Sequence, residues 1–301
     1  MGEPESVTNG VTAGSGAAAD NAADDADDAD DADSLFVLTA ALLTPARFPT
    51  VLGDDYPESC AALGIGPRTD GYGLVFGQDG TGARWTVVID DVSLVAVAIA
   101  SWDCGMEYDL SPDERSVIRV LPGWPLAVAT SAPGLPAPHD PAPEEDSPPP
   151  LTPPDGTAWG PAQRRLGADL VALQWAEWRA RMGGDGEGAE NEAGPEGPSG
   201  AEGAGTGDGS PGPYRTVRQV LEELAGYVEK PPPVGRVRSA FGGGEAHVLR
   251  ADGPGWSLVA RTDDMAFVLL DDAPHEVLPV TRGPRLPALL TALDALAVRP
   301  G

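Results

Sequence analysis

The stretch SWDCGMEYD (Ser101–Asp109) gathers the chain's densest set of reactive side chains: Asp103, Cys104, Glu107, Tyr108 and Asp109. Paired carboxylates can act as general acid and base, and a thiolate can act as a nucleophile. A reactive cysteine needs a positive neighbour or a helix N-terminus to lower its pKa, whereas the acidic surroundings of Cys104 act in the opposite direction. Asp103, Cys104 and Glu107, with Asp109 beside them, are thus the catalytic candidates that the sequence offers, placed after an expected strand.

Other chemistries lack their residues. His139, His247 and His275 are the only histidines, and Cys60 and Cys104 have no C-x-x-C spacing, so no zinc site is expected. The glycine-rich FGGGEAH (Phe241–His247) precedes an expected strand, not the helix that a phosphate-cradling loop requires. The aspartate tract before Ser34 has no fixed loop to chelate calcium. Neither a cofactor nor a metal is expected.

A second kind of candidate lies in GPAQRRLGADLVALQWAEWRARM, which reads as a helix from about Pro161 to Met182. Leu166, Leu170 and Leu173 form one stripe; Val171, Trp175, Trp178 and Met182 form its neighbour. That apolar arc is wider than one shallow sheet needs. The helix is either buried between two structural units or it presents Trp175 and Trp178 as a docking face, since exposed apolar patches mark interaction sites.

The elements that would position these residues form two similar sets. YGLVFGQDGTGARWTVVIDDVSLVAVAIAS reads as a strand meander with an Asp-Gly turn, and AHVLRADGPGWSLVARTDDMAFVLLDD repeats it. Val75-Phe76 match Val248-Leu249, Asp79-Gly80 match Asp252-Gly253, and Trp85 to Val88 match Trp256 to Val259. After a further Asp-Asp pair, Leu94-Val95 match Phe267-Val268. Each tryptophan, with about 200 Å² to bury, is expected to plug the end of a small core.

Helices should flank both meanders. YPESCAALGIG has Pro57 and Glu58 suited to a first turn. TVRQVLEELAGYV carries a Val217, Val220, Leu221, Leu224, Val228 stripe with Thr216 and Gln219 at capping-box spacing. PRLPALLTALDALAV repeats the stripe, with Pro287 in its first turn. The expected fold class is α+β: two similar small units, each an antiparallel β-meander packed against helices. The Pro161–Met182 helix is assigned to the first.

Composition bounds the rest. The 301 residues include 39 Gly and 32 Pro and carry a net charge of −28. Most of that excess lies in three stretches without a base, 1–34, 132–156 and 183–211, which are too polar to offset their chain entropy and should stay disordered. The expected layout is a disordered acidic tail at 1–33 and a first unit at 34–182 with a Pro-rich insertion at about 132–156. A Gly/Glu/Pro-rich linker at 183–212 and a second unit at 213–301 follow. No basic stripe offers itself to nucleic acid or to an anionic membrane surface. The apolar LFVLTAALL is about half the roughly 20 residues that a membrane span needs.

Lys230 is the single lysine among 19 basic residues, a bias of GC-rich bacterial genomes. Two cysteines and a start without a positive n-region suggest a soluble cytoplasmic chain. Together these features point to a non-enzymatic protein-interaction or regulatory protein whose partner is another protein, in the manner of an acidic inhibitor or immunity-type protein. The alternative is an enzyme with an inter-unit site built on the carboxylates near residues 101–109.

Overall fold

The computed structural model describes residues 34–143, 147–155, 157, 162–183 and 213–299. The acidic tail at 1–33, and the linker at 183–212 beyond Gly183, lie outside the described residues. The fold is α+β, with two antiparallel sheets in the orders β1-β2-β3-β4 and β5-β6-β7-β8-β9.

In the first sheet, β1 (Phe36–Leu43), not among the expected elements, pairs with β2 (Tyr72–Gln78), while β2 and β3 (Arg84–Ile89) run as expected and the Asp79 turn joins them. The expected third strand does not form: Val92–Asp103 is a helix, α2, and the strand beside β3 is β4 (Val117–Pro122). The cause is local. VSLVAVAIAS is apolar all round, so its periodicity does not choose between strand and helix. The Asp91 carboxylate accepts from the Leu94 N–H and caps a helix rich in alanine. The Leu94-Val95 match to Phe267-Val268 is therefore one of sequence and not of structure. Ahead of β2, α1 (Tyr56–Ala62) starts at Asp55, whose side chain accepts from Glu58 N–H at 2.7 Å.

The second sheet is a continuous meander of β5 (Val237–Phe241), β6 (His247–Gly253), β7 (Trp256–Arg261), β8 (Ala266–Leu270) and β9 (Ala273–Val280). Helix α5 (Pro213–Glu229) begins ahead of the expected Thr216 cap, so Thr216 lies inside the helix. Helix α6 (Leu286–Leu296) has its proline in the first turn, as expected. Both pack on one face, where Val220, Leu224, Trp256, Leu258, Val268 and Leu290 share a core.

The 161–182 segment is not one helix: α3 (Ala162–Leu173) and α4 (Trp175–Gly183) meet at Gln174. It is also not the first sheet's cover. Ala168, Val171 and Trp175 pack on Val259, Phe267 and Leu269 of the second sheet, opposite α5 and α6. Periodicity shows that a helix has an apolar face, and only tertiary structure shows which sheet that face meets.

The Pro-rich insertion is likewise placed and bonded along residues 132–143 and 147–155, against the expectation of disorder. Ala132 N–H donates to Gln78 Oε1 at 2.7 Å, Gln78 Nε2 donates to Pro136 O at 3.3 Å, and Arg84 pairs with Asp140. His139, whose side chain is exposed, accepts the Arg84 N–H at its carbonyl and donates its own backbone N–H to Gly82 O. Proline segments lose little conformational freedom on fixing, so a few bonds to the β2–β3 hairpin suffice. Among the described residues no helix is long and apolar enough to cross a membrane. Cys60 is buried and Cys104 exposed, and both are free thiols.

Candidate functional site

The two tryptophan hairpins align through their strand pairing. Trp85 pairs with Gly77 and Pro122; Trp256 pairs with Gly253 and Leu270. On this register Val87 corresponds to Leu258, Thr86 to Ser257, Phe76 to Asp252, Leu74 to Arg250 and Val120 to Val268. The sequence matches of Val75-Phe76 to Val248-Leu249 and of Asp79-Gly80 to Asp252-Gly253 are therefore not kept in the structure, because seven residues separate Gly77 from Trp85 and two separate Gly253 from Trp256. The strand that corresponds to β8 is thus β4, with α2 inserted before it.

The tryptophan-bearing faces are covered differently. In the second sheet α6 lies over β5 and β6, and α5 closes the remainder. Trp256 is 3% exposed, donates from Nε1 to Glu223 Oε2 at 2.6 Å and stacks near Tyr227. In the first sheet α2 takes the position of α6, over β1 and β2, and its close approach is allowed by Gly73, where a Cβ would strike Val95. No described helix takes the position of α5. Trp85 is half-buried, and its Nε1 donates to Asp79 Oδ2 at 2.8 Å within its own turn. Hydrogen bonds from Thr81, Trp85 and Ala83 outweigh the penalty of burial and hold the Asp79 carboxyl below its usual range. Val120 is 51% exposed on the edge strand, while Val268 is fully buried. The first core is closed by Trp124 instead, whose Nε1 donates to Gly77 O at 3.0 Å. The expectation that both matched tryptophans plug a core therefore holds for Trp256 and fails for Trp85.

The opposite faces also differ. In the first sheet Leu74, Phe76 and Val88 lie in an apolar core. In the second, Arg250, Asp252 and Ser257 are buried at one end of the face, where α3 and the loop before α1 meet it. Asp252 accepts from Arg238 Nη2 at 2.7 Å, from Arg250 Nε at 3.3 Å and from Ser257 Oγ. Burial disfavours its charge, but Arg250 and Arg238 outweigh that and lower its pKa. Arg164 of α3 bridges the two units, pairing with Asp54 and Asp271 and donating to Ser257 Oγ at 3.0 Å. Asp54 also accepts the Arg165 N–H at 3.0 Å, Asp55 pairs with Arg236 at 2.9 Å, and the Arg165 guanidinium stacks over Phe48 at 3.8 Å. Burial pushes the Asp54 carboxyl up to about 7, against the pull of Arg164. The contacts of Arg164 with Asp54 and Asp271, and of Arg236 with Asp55, thus tie the two surfaces together.

The catalytic candidates stand apart from both features. Asp103, Cys104, Glu107 and Asp109 are all exposed, at the end of α2 and in the loop after it, not after a strand. Asp109 accepts from Ser111 N–H at 2.8 Å, and that bond lowers its pKa. The structure does not draw the four into one pocket with the junction. Trp175 is buried edge-on against Phe267 at 5.0 Å between ring centres, and Trp178 is half-buried beside the same core. Neither forms an exposed docking face. The outward stripe is the other one, Leu166, Leu170 and Leu173. The reading of this segment as a helix between the units is the one that the contacts of Arg164 and Arg165 support.

Two features escaped the sequence. The ionic junction joins residues far apart in the chain and has no local pattern. His247 adds another: its Nδ1 lies 2.9 Å from Asp294 Oδ2 of α6, and Arg299 lies 3.3 Å from the same oxygen. Among the described residues no group of three or more metal-ligating side chains converges. No protein-family model, no curated protein and no solved structure matches this chain.

Proposed function

We propose that this chain is a non-enzymatic interaction or regulatory protein that holds another protein against the first sheet, in the manner of an acidic inhibitor covering a basic target. The observation that carries this reading is the contrast between corresponding positions, Val120 exposed and Val268 sealed beneath a helix. Apolar side chains on a sheet face gain roughly 25 cal/mol per Å² when covered, and the second unit shows the form that such a cover takes. A net charge of −28 favours fast capture of a basic partner. The proposed setting is the reducing cytoplasm, where a buried Cys60 and an exposed Cys104 persist as thiols.

A photo-crosslinking residue placed at Val120, and separately at Glu107, tests this in cells. A protein adduct at position 120 that disappears in a Trp85→Ala background supports the proposal. Adducts absent from 120, or a turnover that requires Glu107, overturn it in favour of an enzyme.

A further inference from the structure

We infer that the open half of the first sheet is a docking groove for one amphipathic helix with basic flanks, supplied by a partner protein. This deepens the interaction reading above and rests on it. The second unit provides the template, because its equivalent surface is occupied by α5 through Val217, Val220, Leu221 and Leu224, the i, i+3, i+4, i+7 stripe of a helix laid in a groove. The first unit keeps the floor of that groove: Val75, Val87 and Ile89 are buried beneath α2, and Val120 and Trp85 extend the surface beyond it. Leu35 folds over Gly77 beside Trp85, where a Cβ would strike its side chain.

The sign of the flanking charge follows from one exchanged hydrogen bond. In the second unit the covering helix supplies the acceptor, Glu223, for the Trp256 N–H. In the first unit the sheet supplies its own acceptor, Asp79, for Trp85. A helix seated over Trp85 therefore needs no acid at the Glu223 position and meets a carboxylate there, which favours lysine or arginine. A second source of acid is Asp90 and Asp91, both exposed, which follow Ile89 of the groove floor. Such a field steers a cationic helix and repels an acidic one.

The probe is a labelled synthetic peptide copying Pro213–Glu229 with Glu222→Lys and Glu223→Lys, titrated into the full-length protein and followed by fluorescence anisotropy. Saturable binding is expected, weakening as salt rises and about tenfold or more weaker in Val120→Lys and Val120→Ser, with thermal unfolding unchanged in both. Binding that survives both Val120 variants means displacement of α5 and overturns the inference. A dimer of the full chain that Val120→Lys dissociates overturns it in favour of a second copy. Absence of peptide binding, while Trp85→Ala still abolishes the cellular adduct at position 120, removes the helical occupant and leaves the interaction reading standing; absence of both peptide binding and a cellular adduct removes both.

Discussion

The two sheets align strand by strand from their tryptophans, across turns of different length, yet differ on both faces. Where the first carries Leu74 and Phe76 in an apolar core, the second carries Arg250 and Asp252 in a buried ionic cluster. Where the second seals Val268 under a helix, the first leaves Val120 open. A meander is thus a frame whose two surfaces are assigned independently by what packs on them. The charged face suits an inward partner that brings matching charge, and the open face suits a partner from outside.

Breaking the ionic face should have the largest effect. Asp252→Ala leaves the largely covered Arg238 without its carboxylate and buried Arg250 with Asp169 alone, and a loss of about 3 kcal/mol or more in denaturant-induced unfolding is expected. The tryptophans sharpen the contrast next: Trp256→Ala should cost about 3 kcal/mol, and Trp85→Ala about 1, mostly the bond to Asp79. Equal costs would show that both faces are sealed alike. At the junction, Gly235 has φ +92° and a Cβ there would lie 2.4 Å from the Tyr56 ring, so Gly235→Ala should cost about 2 kcal/mol.

Acid should then tighten the junction through Asp54. Its folded carboxyl binds a proton more tightly than the unfolded one, so its contribution is fully present below the ordinary value of 3.8 and is lost as pH rises towards about 7. Asp252 works the other way: its lowered pKa gives stability above the unfolded value that disappears in stronger acid. Asp54→Asn should flatten the slope between about pH 4 and 7 in unfolding measured across pH. The smallest effect belongs to Leu173→Glu, at an 81% exposed position, where thermal unfolding should shift by no more than about 0.5 kcal/mol.

Local signals made much of this fold legible. Asp79-Gly80 marked the turn between β2 and β3, and Pro57, Pro287 and the Val217–Leu224 stripe marked three helices. The failures share a cause. The run at Val92–Ser101 had no period to read, and α3 had a face but no stated partner. The Pro-rich strap is held by Gln78 and Arg84 from a distant hairpin. Arg250 and Asp252 alternate with Leu249 and Ala251 as a solvent-facing strand edge would, and only the wide apolar arc of α3 hinted that this face was also covered. For the candidate site, residue chemistry drew attention to Asp103, Cys104 and Glu107, but the open groove is defined by Val120 and Trp85, ordinary residues whose meaning lies in what does not cover them among the described elements.

The crossing of α3 and α4 has a consequence for how the halves stay joined. These helices precede the 184–212 segment in the chain yet complete the sheet that follows it. The N-terminal half therefore donates a structural part to the C-terminal half, as in a split reporter. A chain cut within 184–212 should elute as one species, and fragments made separately should reassemble on mixing.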